Sequence, residues 1–255
     1  MKVPIVVGLA TVLFALWASL PTRAQTPVSI ELVLAVDTSL SVNNEEYALQ
    51  MRGIAQAFRS EDIIDLIGLY DGVAVSLIQW GGWTSEEHTV PWQVLKSRAS
   101  VLDFARQVEE TRRENVGYFT AIGTAVSAAM KSIIENRYAG KLRKIDVSGD
   151  GVNNAGPLPQ STQPLAEQLG ISVNGLAILT DLAILDQYYE QNVIAGPGAF
   201  VMTAASYSDF ARAMHKKLKK ELQVPISFRK SVPGPQPAAL RQSPHPARSP
   251  AGPPY

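Results

Sequence analysis

"SIELVLAVDTSLS", residues 29–41, decides the fold. Its first eight residues are an apolar, β-branched run of strand length, and Asp37 then ends the strand, with Ser39 and Ser41 at alternate positions beyond it. "NNEEYALQMRGIAQAF" (43–58) follows and sets Tyr47, Met51, Ile54 and Phe58 on one helical face, with Asn43 and Glu46 as a capping pair at its start. A strand running into a helix through a polar loop is the unit to look for in the rest of the chain.

That unit recurs. "GVAVSLIQW" (72–80) is the second strand, and "HTVPWQV" (88–94) is a short edge strand, because Pro91 has no N–H to give a central ladder. Helices are predicted over 98–112 and 121–136, the second with Ile122, Val126, Met130 and Ile133 at helical spacing. "LRKIDVS" (142–148), "SVNGLAIL" (172–179) and "AFVMTA" (199–204) read as further strands, separated by helices near 161–169 and 182–193. A last helix, 206–222, buries Phe210, Met214, Leu218 and Leu222 and exposes its lysines. The fold class expected is α/β: a doubly wound, mainly parallel sheet flanked by helices.

Both ends differ from this middle. Lys2 precedes an uncharged apolar run from Ile5 to Leu20, and "PTRAQ" offers Thr22 and Ala24 at small-residue cleavage positions. Residues 1–24 therefore read as a secretory signal peptide, the run being short of the roughly 20 residues of a spanning helix. The expected location is periplasmic or secreted, with no transmembrane segment once the signal is removed. The chain has no cysteine, so an exported domain at 25–224 would be held by its core alone. Nine of the 17 prolines lie in 225–255 beside Arg229, Lys230, Arg241 and Arg248 and no acidic residue, the composition of a disordered tail or of a Pro-rich docking segment. Without the signal's Lys2 and Arg23, 21 basic residues face 23 acidic ones, a balance that gives no reason to expect nucleic acid.

In an open α/β sheet, ligands collect beyond the carboxyl ends of the strands. Two strands carry aspartate there: Asp37 in "AVDTSLS", and Asp150 in "DVSGDG". Alternation sends Asp37, Ser39 and Ser41 to one side, a hard-oxygen set suited to Mg²⁺. The alternative reading of Ser41, and of Thr120 before the 121–136 helix, is an N-cap or turn residue. Asp37 needs more explanation, since a carboxylate beyond a buried strand is costly unless paired, hydrogen-bonded or metal-bound. Asn153 and Asn154 read as turn formers, Asp146 as hydrogen-bonded structure, and Trp80, Trp83 and Trp92 as packing residues or an interface cluster.

Asp-x-Ser-x-Ser after a buried first strand, a Thr-bearing loop before a helix, and a later strand ending in Asp-Gly resemble the metal-ion-dependent adhesion site of von Willebrand factor A domains. More narrowly, "IDVSGDGVNN", "SVNGLAI", "YYEQNVIAGPGAFV" and "DFARAMHKKL" resemble a bacterial branch of that superfamily, the domain of unknown function 1194 family, over about 29–222. The resemblance implies Ser39 and Ser41 as direct metal ligands, Asp37 and Asp150 as carboxylate contributors directly or through water, and Thr120 as the fifth ligand. It implies Mg²⁺, with Mn²⁺ or Ca²⁺ as substitutes, and a protein partner that offers a carboxylate. Two positions depart from the usual pattern: Tyr118 and Phe119 are bulky where small residues are common, and Gly149 stands where Ser or Thr commonly precedes Asp-Gly.

Two other classes remain open. A haloacid-dehalogenase-type phosphatase also pairs an early strand-end aspartate with a GDGxND loop. It needs a second acid two residues after the first for general acid–base work, and Ser39 stands there, with Asn154 in place of the loop's aspartate. The chain has no GxSxG elbow or GxxxxGK[ST] loop, and its three histidines have no metal or triad spacing. No enzymatic activity is expected. The third class is a structural domain with a vestigial site.

Overall fold

The computed structural model describes residues 25–82, 88–114 and 117–223. The expected signal peptide, Trp83 and the Pro-rich tail lie outside these residues. The elements in chain order are β1 (Thr26–Asp37), α1 (Asn44–Arg59), α2 (Glu61–Gly68), β2 (Val73–Trp80), β3 (His88–Leu95), α3 (Arg98–Glu110) and α4 (Ile122–Glu135). They continue as β4 (Tyr138–Gly149), α5 (Gln163–Leu169), β5 (Ile171–Ile178), α6 (Leu185–Asn192), β6 (Val201–Ala204) and α7 (Phe210–Leu222). Short 3₁₀ turns, Pro159–Thr162 and Tyr207–Asp209, lead into α5 and α7.

The strands form one sheet in the order β3-β2-β1-β4-β5-β6. Only β3 is antiparallel, and it lies on the edge, where Pro91 is tolerated. β1 pairs in parallel with both β2 and β4, so its side chains are buried on both faces. Alternation along it sorts the core: Ile30, Leu32, Leu34 and Val36 join a layer with α1, α2, α3 and α7, while Val33 and Ala35 join one with α4, α5 and α6. The chain leaves β1 toward one face and β4 toward the other, which opens a crevice between their carboxyl ends. At the mouth of α1, Asn43 Oδ1 accepts from the amides of Glu45 and Glu46, and Glu46 reaches back to the Asn43 amide, as the sequence predicts.

Three features differ from expectation. α2 was not expected; its Ile63, Ile64 and Ile67 are buried at helical spacing. β4 begins four residues earlier than predicted, where Glu31 accepts the Gly140 amide across the ladder. Finally, α7 does not expose all its lysines. Lys217 is fully buried, with its Nζ 2.6 Å from Asp146 and 2.7 Å from Glu221, both themselves buried. A long apolar stem lets lysine pack like a hydrophobe while its head meets the mid-strand Asp146.

Candidate metal centre

The carboxyl end of β1 and the loops after β4 and before α4 meet at the crevice. Asp37 is completely buried; its Oδ1 accepts the Ser39 amide at 2.8 Å, and its Oδ2 has no hydrogen-bond partner. Ser39 Oγ lies 3.2 Å from Ser41 Oγ, and Ser41 Oγ donates to Asp150 Oδ1 at 2.8 Å. Four of the five residues expected from sequence are thus linked in one chain of contacts. Ser41 does not cap α1, since Asn43 does.

Thr120, on the third loop, is tied to the late loop through Asn154. Its amide donates to Asn154 Oδ1 at 2.8 Å and its carbonyl accepts the Asn154 amide at 2.9 Å. A side chain on Gly151 would come within 3.6 Å of Thr120 Oγ1, which puts the hydroxyl beside the Asp150–Gly151 turn. Asn153 Oδ1 accepts the Gly123 amide at 3.3 Å. α4 has no side-chain cap of its own, so the two asparagines supply from the late loop what its own residues do not. Turn-forming is the role expected of them, and the helix start they bind is the addition.

Four residues that the motif did not announce complete the site. Tyr207, in the turn before α7, donates to Asp150 Oδ2 at 2.9 Å, so both Asp150 oxygens hold donors. Tyr189 of α6 and Trp80 close over Asp37: a Cβ at Gly149 would stand 2.8 Å from Asp37 Oδ2, 2.9 Å from Tyr189 Oη and 3.1 Å from Trp80 Cζ2. The tyrosine thus fills the space of the Ser or Thr usual at that position. Arg113 binds the outer side, donating to the carbonyls of Thr38 and Ser39 at 3.0 Å each and to Asn44 Oδ1 at 3.0 Å. Burial, with the Asp150 charge second, pushes Asp37 up to about 7. Burial and the same two carboxylates raise Tyr189 and Tyr207 above the usual phenol value, keeping both protonated.

A family model described as a protein of unknown function (DUF1194) matches residues 27–226. The chain belongs to this family. No curated protein matches the chain significantly by sequence. Among solved structures, the DUF1194 domain is similar to proximal thread matrix protein 1 of the mussel byssus with a zinc-occupied MIDAS motif (22% identity, TM-score 0.58, 78% of this chain and 48% of that one). It is also similar to the pilus adhesin SpaC of Lactobacillus rhamnosus GG (15% identity, TM-score 0.54, 76% and 30%). A third is the vWF domain of the type V pili tip protein Mfa5 of Porphyromonas gingivalis (12% identity, TM-score 0.50, 80% and 98%). The chain spans about half the length of the mussel protein. At these identities the likeness is one of fold, and the fold is von Willebrand factor A-like.

The donors of the DUF1194 site are all oxygens. Among the described residues no three His, Cys, Asp or Glu side chains converge, so a cation here would depend on hydroxyls as much as on carboxylates. Asp37 Oδ2, buried and unpaired, is the oxygen whose burial a cation would compensate. Such chemistry suits a small hard cation that keeps some coordination positions for other oxygens.

Proposed function

We propose that this domain is an exported protein-binding module that holds a divalent cation, Mg²⁺ with Mn²⁺ or Ca²⁺ as substitutes, on Asp37, Ser39, Ser41, Thr120 and Asp150. The cation supplies a positive, partly open coordination sphere to a carboxylate of a partner protein; the site carries out no reaction. The carrying observation is the linkage of Ser39, Ser41 and Asp150 next to a buried, unpaired Asp37 oxygen. Similarity in fold to pilus proteins and to a byssus matrix protein with a metal-loaded site supports the reading. In the proposal, residues 1–24 are a cleaved signal, 25–224 the domain, and 225–255 a tail outside it; the mature chain is periplasmic or secreted. Among the described residues no helix is long and apolar enough to cross a membrane.

Calorimetric titration of the wild type and of Asp37→Ala with Mg²⁺ and Mn²⁺, beside a phosphomonoester turnover assay, tests the reading. Expected is saturable binding in the wild type, none in Asp37→Ala with folding retained, and no turnover. Absence of metal heat in the wild type would leave a structural domain with a vestigial site. Turnover lost with Asp37 would establish the phosphatase. Capture of a protein from an envelope extract with Mg²⁺ but not with chelator identifies the partner.

A further inference from the structure

Tyr189 of α6 is fully buried, and its hydroxyl has no hydrogen-bond partner. The other buried tyrosines among the described residues do not share this. Tyr47 and Tyr70 donate to the carbonyls of Thr111 and Leu222, Tyr207 donates to Asp150, and Tyr138 accepts from Arg137. A buried hydroxyl without a partner is costly, and phenylalanine would fill the same space without that cost. Packing accounts for the ring and not for the oxygen.

The sheet is shaped to bring that oxygen to one place. Gly149 on β4 and Gly175 on the neighbouring β5 stand on the face toward α6, in step with Val147 and Val173, which pack in the same layer as Tyr189. A Cβ at Gly175 would stand 2.6 Å from Tyr189 Cδ1, closer than side chains pack, so the ring lies on bare backbone of β5. Further along, a Cβ at Gly149 would stand 2.9 Å from Tyr189 Oη. Glycine inside a strand often marks the close approach of another group, and here two adjacent strands each give one to the same side chain. The tyrosine is fixed at its other end too, where its carbonyl accepts the amides of Val193 at 2.9 Å and Ile194 at 3.1 Å. At the far end of this trench lies a second unpaired oxygen: the same Cβ at Gly149 would stand 2.8 Å from Asp37 Oδ2, which is buried and has no partner. Trp80 meets that point through a ring carbon, Cζ2, at 3.1 Å, so the group that brings an O–H there is the tyrosine.

We infer that Tyr189 is a positioning residue for Asp37: its hydroxyl serves Oδ2, the carboxylate oxygen that no other group serves, and holds Asp37 in the orientation the oxygen centre uses. Gly149 and Gly175 supply the space this takes. The inference rests on the proposed cation-binding function and adds to it a residue from α6, a helix that contributes none of the five donors. A carboxylate oxygen has two lone pairs, so the hydroxyl and a cation do not compete for it. Groups that orient a metal ligand in this way typically contribute about 10–100-fold in affinity.

The test is Tyr189→Phe in the full chain, which keeps the ring and removes the oxygen. Calorimetric titration with Mn²⁺ should show about tenfold or greater weakening. In chelator the melting temperature should hold or rise, because a buried hydroxyl without a partner has been removed. A purely structural role would do the reverse, lowering the melting temperature and leaving Mn²⁺ affinity unmoved, and that result would overturn the inference. A second variant, Gly149→Ser added to Tyr189→Phe, returns a hydroxyl to the neighbourhood of Oδ2 from β4 itself and should recover part of the lost affinity. A double variant that is folded by circular dichroism and recovers nothing would overturn the role given to the hydroxyl. Wild-type binding of Mn²⁺ matched by Tyr189→Phe would overturn this inference alone, whereas no Mn²⁺ heat in the wild type would overturn the cation-binding function and the inference with it.

Discussion

Tyr207→Phe removes one oxygen and leaves the ring packed, since Tyr207 is buried within the core layer formed with α1 and α7. The lost bond is to a carboxylate, and Asp150 is only 3% exposed, so its Oδ2 is left without a donor in a place water reaches poorly. Hydrogen bonds to charged groups contribute about 1.5–3 kcal/mol, and leaving a buried acceptor unpaired costs in the same range. For a domain of this size that is roughly 3–12 °C in Tm. Urea unfolding in chelator, followed by far-UV circular dichroism, reads the loss. Mn²⁺ titration reads a second effect: a group that orients a proposed ligand typically contributes about 10–100-fold in affinity, and about tenfold weakening is expected here. A stability change below about 0.5 kcal/mol together with unaltered Mn²⁺ affinity would refute the assignment of Tyr207 as the residue that positions Asp150.

Gly149→Ala forces a methyl against Asp37, Tyr189 and Trp80, all buried, and should cost about 1–3 kcal/mol by overpacking; an unchanged melting curve would show that the three side chains yield. Burial raises Asp146 above the usual carboxylate value, outweighing the attraction of Lys217, while Glu221 pushes the same way as burial. The folded chain thus keeps that proton to higher pH than the unfolded one, so the contribution is complete below about pH 4 and is lost as pH rises toward neutrality. Asp146→Asn should therefore lose less stability than the wild type over that interval in melts at stepped pH, and parallel curves would contradict this. A chain ending at residue 224 should melt within a few degrees of the full chain, because α7 ends at Leu222 and 225–255 is rich in proline; a larger fall would mean that the tail packs on the domain.

Sheet and helices were legible because β1 announces a doubly buried strand and the helices repeat their apolar spacing. α2 escaped notice because it is only eight residues long and starts directly after α1 at Ser60, which makes no side-chain cap bond. The first four residues of β4, Tyr138–Lys141, carry no strand signal of their own, because Ala139 and Gly140 are small and Lys141 is charged. In the site, Asp37, Ser39, Ser41 and Asp150 were readable from their spacing after strand ends. Tyr189, Tyr207 and Arg113 were not, because their contacts depend on how distant helices and loops dock, and no local pattern encodes that. The burial of Lys217 is not legible for the same reason: its partner Asp146 sits on another element, and a helical wheel shows only the helix.

The contacts around Asp150 also join distant parts of the chain. Its bond to Ser41 spans 109 residues and its bond to Tyr207 a further 57, so the centre draws on the loop after the first strand and the turn before the last helix. Contacts of such separation each carry a loop-closure entropy cost. A chain growing from its N-terminus presents Asp37, Ser39 and Ser41 long before Tyr207 exists, and the full donor arrangement appears only when α7 docks. Cation affinity would then report completion: a half-made domain holds the motif in its sequence without the site.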